Sequence, residues 1–410
     1  EENIQEMSVD LFAYRKLQDT AADCEDRCDQ IEREMRDPKA AERFALKQSQ
    51  AFVDQMEGFA LELEDELMNF SDVSYKSFVK SESEIITLFY DKFADIPLLS
   101  RMDAVAETFI DEIETLLNRD LPEEERIPLI EKFRKMYETM DFYVLYNRFL
   151  KKEGYQTLPR RPLEKRKLRY EDVYPILYLK YRLSRQAERS NIKHLVIDEM
   201  QDYSLLQYLI IRRMFSCKMT ILGDRAQTMA DQQQDVLQFL PGIFGKDLRR
   251  IEMRKSYRNT VEIASYAANL IGVTDLELFE RHGMPVLERD VTDLEAALRE
   301  AVDTLLPDEK TYETAAVIVP DEKTAERAYL ILRGILAEKD FDCGKRLSWL
   351  NRDSSSFKKG LTVTTFYLAK GLEFDQVFSI FPKDEKREIM MQAQYIAATR
   401  ALHELRVYHI

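Results

Sequence analysis

Two short apolar runs, His194–Ile197 and Met219–Leu222, each pass straight into polar residues. The first ends in Asp198-Glu199-Met200-Gln201-Asp202 and the second in Gly223-Asp224-Arg225-Ala226-Gln227. Between them, Tyr203 to Phe215 has the length of a helix and sets Leu206, Leu209, Ile210 and Met214 on one side. This order is that of a strand–helix–strand unit, whose two strands run parallel. Parallel strands bring their carboxyl ends to one edge, where α/β proteins bind ligands. The pattern therefore selects an α/β fold and sets both polar clusters at a ligand edge.

The residue types suit phosphate chemistry. Asp198 fits a hard cation such as Mg2+, held directly or through water. Glu199 beside it can polarise a water for attack on a phosphate. Alone, this pair reads equally well as an acidic cap on the following helix. The second strand end favours the ligand reading: Asp224 can order water or metal, Gln227 can sense a γ-phosphate, and Gly223 lets the backbone turn tightly.

Further apolar runs at Ala315–Val319, Leu361–Phe366 and Val377–Phe381 alternate with helical stretches and predict a parallel sheet covered on both faces. Before residue 150 the texture differs. Apolar residues recur at three and four, as in Phe44, Phe52, Met56, Phe59 and Leu63, and Gly58 is the only glycine. Pro38, Pro97 and Pro122 fall in polar stretches and mark helix starts or turns. A bundle of several helices is expected there, with Cys24 and Cys28 four apart on a helix. The two cysteines lack the further ligands that zinc requires and read as free thiols of a cytoplasmic protein.

Charge divides the chain at the same place. Of 75 acidic residues 36 lie in 1–150, against 18 of 60 basic ones; the remaining 39 and 42 nearly balance. A net charge of -15 excludes a surface that coats nucleic acid generally. A basic connector, Lys151-Lys152, Arg160-Arg161 and Lys165 to Arg169, joins the two parts and reads as a solvated linker, with a phosphate or partner contact as the alternative. No apolar run is long enough to span a bilayer. The opening Glu1-Glu2-Asn3-Ile4 has no initiator Met, so the chain is expected to begin inside a longer protein.

With these residues in hand a resemblance emerges. Asp198 to Asp202 resembles motif II of UvrD/Rep-type superfamily 1 helicases (D-E-A-Q-D), and Gly223 to Gln227 resembles motif III. Ser256-Tyr257-Arg258-Asn259-Thr260 is similar to motif IV, Ala369-Lys370-Gly371-Leu372-Glu373-Phe374-Asp375 to motif V, and Tyr395-Ile396-Ala397-Ala398-Thr399-Arg400-Ala401 to motif VI. Five motifs in the family's order are unlike a chance match. The resemblance implies two RecA-like lobes with parallel sheets that hydrolyse ATP with Mg2+ between them. It implies catalytic roles for Asp198, Glu199, Gln227, Arg258 and Arg400, with Asp198 the metal ligand. The two arginines suit the part, being permanently charged forks that stabilise a transferring phosphoryl group. By the same resemblance Tyr257 stacks on adenine, Glu373 reaches the ribose, and Gly371, Asp224 and Gln201 belong to the nucleotide site.

Three features depart from the family pattern. No G-x-x-x-x-G-K-[ST] occurs, so the usual cradle for the β- and γ-phosphates is missing; that loop is expected upstream of Glu1, and these residues alone are expected to be inactive. Tyr367 stands where members carry a His three residues before the motif V Lys. Motifs IV and V are too close to admit the large inserted subdomain of unwinding members. Tyr170-Glu171-Asp172, Leu177 to Leu183 and Tyr367-Leu368-Ala369-Lys370 are most similar to HelD proteins, which release RNA polymerase from nucleic acid. This implies a first-lobe remnant at 1–17, an acidic helical insertion at 18–165, the rest of the first lobe at 166–255 and a second lobe at 256–410. The implied partners are DNA and, through the acidic insertion, RNA polymerase, for a monomer that engages no membrane. The alternative is a general UvrD-like helicase that acts directly on DNA.

Overall fold

The computed structural model describes residues 8–186, 191–224, 227, 236–253, 255–273, 277–308, 312–339, 346–354, 359–383 and 387–410. The chain is mixed α/β with parallel sheets, as the strand–helix–strand pattern requires.

The carboxyl-terminal part is built on a six-stranded sheet. Its order is Leu347–Trp349, Gly360–Thr365, Thr314–Val319, Phe374–Phe381, Ala401–His409, Leu287–Asp290, and every neighbouring pair is parallel. The central strands are buried on both faces, so they read in sequence as continuous runs. Ala315, Val317 and Val319 share a core with Leu298 of helix Leu294–Asp308 and Leu332 of helix Glu322–Glu338. Ala316 and Ile318 share the opposite core with Ile263 of helix Val261–Leu270 and Ile396 of helix Glu388–Thr399. Three strands of this sheet escaped the sequence reading. Leu287–Asp290 is an exposed edge of charged residues, Leu347–Trp349 is only three residues long, and Ala401–His409 carries His403, Glu404 and Arg406 among its apolar residues.

In the first half, His194–Ile197 and Lys218–Ile221 pair in parallel, Ile197 opposite Ile221. Helix Leu205–Met214 connects them and starts in a capping box: Ser204 Oγ accepts from the Gln207 amide, and Gln207 Oε1 accepts from the Ser204 amide.

Helices Arg27–Arg36, Pro38–Lys47, Gln50–Glu66, Arg101–Leu117, Glu123–Arg134 and Phe142–Lys152 bear out the helical texture before residue 150. Pro38 and Pro122 stand at helix starts, and Pro97 precedes a single 3-10 turn. Two details differ. An antiparallel hairpin, Val73–Tyr75 with Phe78–Lys80, interrupts the helices and turns through Lys76 at φ 54°. Cys24 lies not on a helix but on Asp23–Cys24, which pairs in parallel with Lys167–Leu168; only Cys28 is helical.

One continuous core runs from Phe12 through the later of these helices, Pro38–Lys47 onward, to Leu206 and Leu240, with Ile197 of the first sheet inside it, whereas Ile31 and Met35 of Arg27–Arg36 are buried in the core that holds Ala316 and Ile318. Its hub is helix Tyr170–Leu183, buried along nearly its whole length although three of the buried side chains, Glu171, Asp172 and Lys180, are acidic or basic. Those charges are paired: Lys47 Nζ lies 2.5 Å from Asp172 Oδ1, Tyr146 Oη donates to the same oxygen at 2.8 Å, Arg33 Nη2 lies 2.5 Å from Glu171 Oε2, and Lys180 Nζ 2.5 Å from Asp19 Oδ2. A buried charge without such a partner would cost several kcal/mol (about 3–5). Among the described residues no helix is long and apolar enough to cross a membrane.

Candidate active site

Strand His194–Ile197 delivers Asp198 to an exposed position and then turns sharply, for Glu199 adopts φ 52°, ψ 48°. Left-handed backbone is unfavourable for a residue with a Cβ, and such strain gathers at functional sites. The turn is held by the Glu199 amide donating to Asp198 Oδ1 at 2.8 Å and by the Met200 amide donating to Leu222 O at 2.8 Å.

Gln201, 2% exposed, links the two strand ends. Its Nε2 donates to Glu199 Oε2 at 2.6 Å, and its Oε1 accepts from the Asp224 amide at 3.0 Å. Gly223 lies against this link. A Cβ there would meet Gln201 Oε1 at 2.4 Å and the Met200 backbone nitrogen at 2.6 Å. Glycine is required by close approach and not, as the sequence suggested, by an unusual turn conformation. Arg225 and Ala226 of the same motif lie outside the described residues.

The second sheet supplies the facing wall. Arg400, 1% exposed, ends helix Glu388–Thr399; its Nη2 donates to Gln227 Oε1 at 2.9 Å and to Thr399 Oγ1 at 3.2 Å. Gln227 Nε2 in turn donates to Asp224 Oδ2 at 3.0 Å, so the chain Asp224–Gln227–Arg400 crosses from one unit to the other. Burial, and next the charge of Arg258, lower the pKa of Arg400. Its Nε is buried with no hydrogen-bond partner, as is Oδ1 of Asp202.

Lys370 also crosses the divide. Its Nζ lies 2.6 Å from Asp202 Oδ2 and 3.6 Å from Glu199 Oε2, and donates to Gln227 O at 3.2 Å. Burial raises the pKa of Asp202 and the Lys370 charge opposes that rise. Gly371 follows at φ 81°, a left-handed position that suits glycine.

Arg258 and Glu373 pair with each other, Nε to Oε1 at 2.6 Å, and both are partly exposed. Tyr257 is 62% exposed, with its ring 5.4 Å from that of Phe279. The structure thus joins Asp198, Glu199, Gln201, Asp224, Gln227 and Arg400 in one connected set, while Tyr257, Arg258 and Glu373 form a more open group. Sequence reasoning missed Asn259 as the clamp on Arg400: its Nδ2 donates to Thr399 O at 3.1 Å and to Ala401 O at 2.6 Å. It also missed Tyr395, whose pKa is raised by burial foremost and by the nearby Asp224 carboxylate. The motif spacing alone carried no sign of either contact.

The donor set fits a nucleoside triphosphate with Mg2+. Asp198 and Glu199 offer hard oxygen ligands, and the orphaned Nε of Arg400 is a charged donor that a phosphate oxygen would satisfy.

A family model described as the UvrD/REP helicase N-terminal domain matches residues 4–229. No curated protein matches the chain. Among solved structures, it resembles the C-terminal domain of a possible DNA helicase from Lactobacillus plantarum WCFS1, at 24% identity over 38% of this chain and 88% of that one, with a TM-score of 0.30. The PRRSV helicase matches at 14% identity over 65% of this chain and 45% of its own, with a TM-score of 0.31. An arterivirus nonstructural protein 10 (helicase) in complex with DNA matches at 14% over 65% and 51%, with a TM-score of 0.27. The chain spans about half the length of these viral helicases.

Proposed function

Since the chain belongs to the UvrD/REP helicase family, we propose that its two units are RecA-like lobes of an ATP-driven superfamily 1 motor that acts on nucleic acid. The observation that carries this reading is the bridge Asp224–Gln227–Arg400, which links the polar strand ends of one unit to a buried arginine of the other. Such a bridge lets hydrolysis at one face reposition the opposite lobe.

Mg2+, when bound, supplies positive charge to the phosphates. Asp198 would hold that ion, and Glu199 is the carboxylate placed to accept a proton from an attacking water. Gln227 orients the water, and Arg400 with Arg258 meets charge that develops on the transferring phosphoryl group. Tyr257 offers a stacking face to the base, Glu373 a carboxylate to the ribose, and Gln201, Asp224 and Gly371 shape the pocket. In the form described here Lys370 neutralises Glu199 and Arg258 neutralises Glu373, so nucleotide entry exchanges these pairs for contacts to the ligand.

The finer reading is of HelD type: hydrolysis drives release of RNA polymerase, docked on the acidic helices of 18–165. The 36 acidic against 18 basic residues of 1–150 favour a basic protein partner over DNA on that part of the surface. A helicase acting directly on DNA is the second reading, favoured by the basic connector at 151–169.

The active-site assignment is tested by ATP hydrolysis. The 410 residues carry no phosphate-binding loop and are expected to turn over no ATP alone. In a chain that joins them to such a loop, Glu199→Gln should lower turnover by roughly a hundredfold or more. Unchanged turnover in that variant would remove Glu199 from the mechanism.

A further inference from the structure

Resting on the reading of the chain as a nucleic-acid motor, we propose that Glu32 is an internal stand-in for a phosphate, and that it keeps a nucleic-acid backbone site on the carboxyl-terminal sheet shut. Three adjacent parallel strands, Leu347–Trp349, Gly360–Thr365 and Thr314–Val319, end close together. Just beyond those ends lie Arg352, Tyr367 and Glu322 respectively. All three turn toward one atom. Glu32 Oε1 accepts from the Glu322 amide at 3.0 Å and from Tyr367 Oη at 2.7 Å, and Arg352 Nη2 lies 3.9 Å away.

A backbone amide at the start of helix Glu322–Glu338, a hydroxyl and a guanidinium form the donor set that proteins use for phosphate oxygens. Here the anion they hold is the chain's own carboxylate, contributed by helix Arg27–Arg36 from the other unit. Glu32 does not act alone. Arg352 Nη1 lies 2.6 Å from Asp29 Oδ1 and 3.4 Å from Asp26 Oδ1, and its Nε lies 3.1 Å from Glu322 Oε1. Four carboxylates thus share one arginine, with Arg36 offsetting one of them by pairing with Glu32 Oε2 at 2.7 Å. Ile31 and Met35 of the same helix are buried in the core of the carboxyl-terminal sheet, which seats the acidic face firmly.

Two consequences follow from the charges. An incoming phosphate must displace Glu32 to reach the amide, the hydroxyl and Arg352. The surplus negative charge of Asp26, Asp29 and Glu32 also repels a polyanion for as long as the helix stays seated. The contact is therefore autoinhibitory: the acidic helix and a nucleic-acid strand compete for the same donors. Tyr367, the departure from the family pattern, is used here to hold the clasp.

The test is binding of a fluorescein-labelled single-stranded oligothymidylate to the whole chain, read by anisotropy at fixed low salt. Glu32→Gln removes the charge and keeps the shape, and should tighten binding by roughly five- to tenfold, a typical coupling. Adding Arg352→Ala to that variant should abolish the gain. If the native chain binds but Glu32→Gln binds no better, the clasp is wrong and the nucleic-acid reading survives. If neither binds, with thermal unfolding showing both intact, the nucleic-acid reading itself falls and takes the clasp with it. A second measurement needs no variant: saturating oligonucleotide should speed amide hydrogen exchange across residues 27–36, and unchanged exchange there overturns the competition.

Discussion

At the scale of single residues, the strand ends show how closely the candidate site is packed. Glu199 takes a left-handed backbone so that the chain can fold back beneath the neighbouring strand, and Gln201 then reaches across to Asp224. Gly223 leaves room for this. Gly223→Ala would drive a methyl group into the Met200 backbone, which cannot yield as a flexible side chain can. Overpacking of this kind costs about 1–3 kcal/mol, and the expected loss is measurable by urea unfolding of the variant. A variant as stable as the native chain would mean that the turn at Met200 relaxes freely. The sequence pointed to this glycine but for another reason, since a motif letter records a residue type and not the atom that approaches it.

At the scale of elements, helix Tyr170–Leu183 decides how the first half holds together. Its sequence mixes Glu171, Asp172 and Lys180 with tyrosines and leucines, and no single face is polar. Such a helix is stable when buried all round only if each charge meets a partner. Asp172 meets Lys47 and Tyr146. Lys47→Met would leave the carboxylate buried beside a hydroxyl alone, at a cost of about 3–5 kcal/mol. The double variant Lys47→Met, Asp172→Leu should recover most of that loss in thermal unfolding, because no charge then stays buried. Equal destabilisation of the single and double variants would show that the pair stabilises through more than compensation. None of these partners could be read from spacing, for Lys47 and Asp172 are 125 residues apart in sequence.

At the scale of the whole molecule, the acidic helices from Pro38–Lys47 onward share one core with the first sheet, and the two units meet through helix Arg27–Arg36 with its Glu32 and through the Arg400 contacts. The helical segment is not a separate module tethered by the basic connector. Its Arg166 is pinned instead, Nη2 lying 2.7 Å from Asp141 Oδ2 and its guanidinium over the Tyr143 ring. The partner question is decided by parallel titrations with bacterial core RNA polymerase and single-stranded DNA across a salt series. Tight polymerase binding that weakens with salt, with weaker DNA binding, is expected of the acidic surface. Binding to DNA with no affinity for polymerase would leave the direct helicase reading in place.

The sequence by itself determined the α/β class, the polar strand ends and the five motifs, because these depend on short-range pattern: an apolar run, a helix period and a fixed order of residue types. It also located the change in texture near residue 150, since composition and periodicity are local properties. The tertiary structure alone decided which groups meet across the cleft. Arg400 reaches Gln227, Lys370 reaches Asp202, and Glu32 reaches Tyr367 and the Glu322 amide. It also decided that the edge strands and Ala401–His409 join one sheet. Pairings at long sequence separation are selected by the summed packing and desolvation of whole units, and no local stretch of residues records that sum.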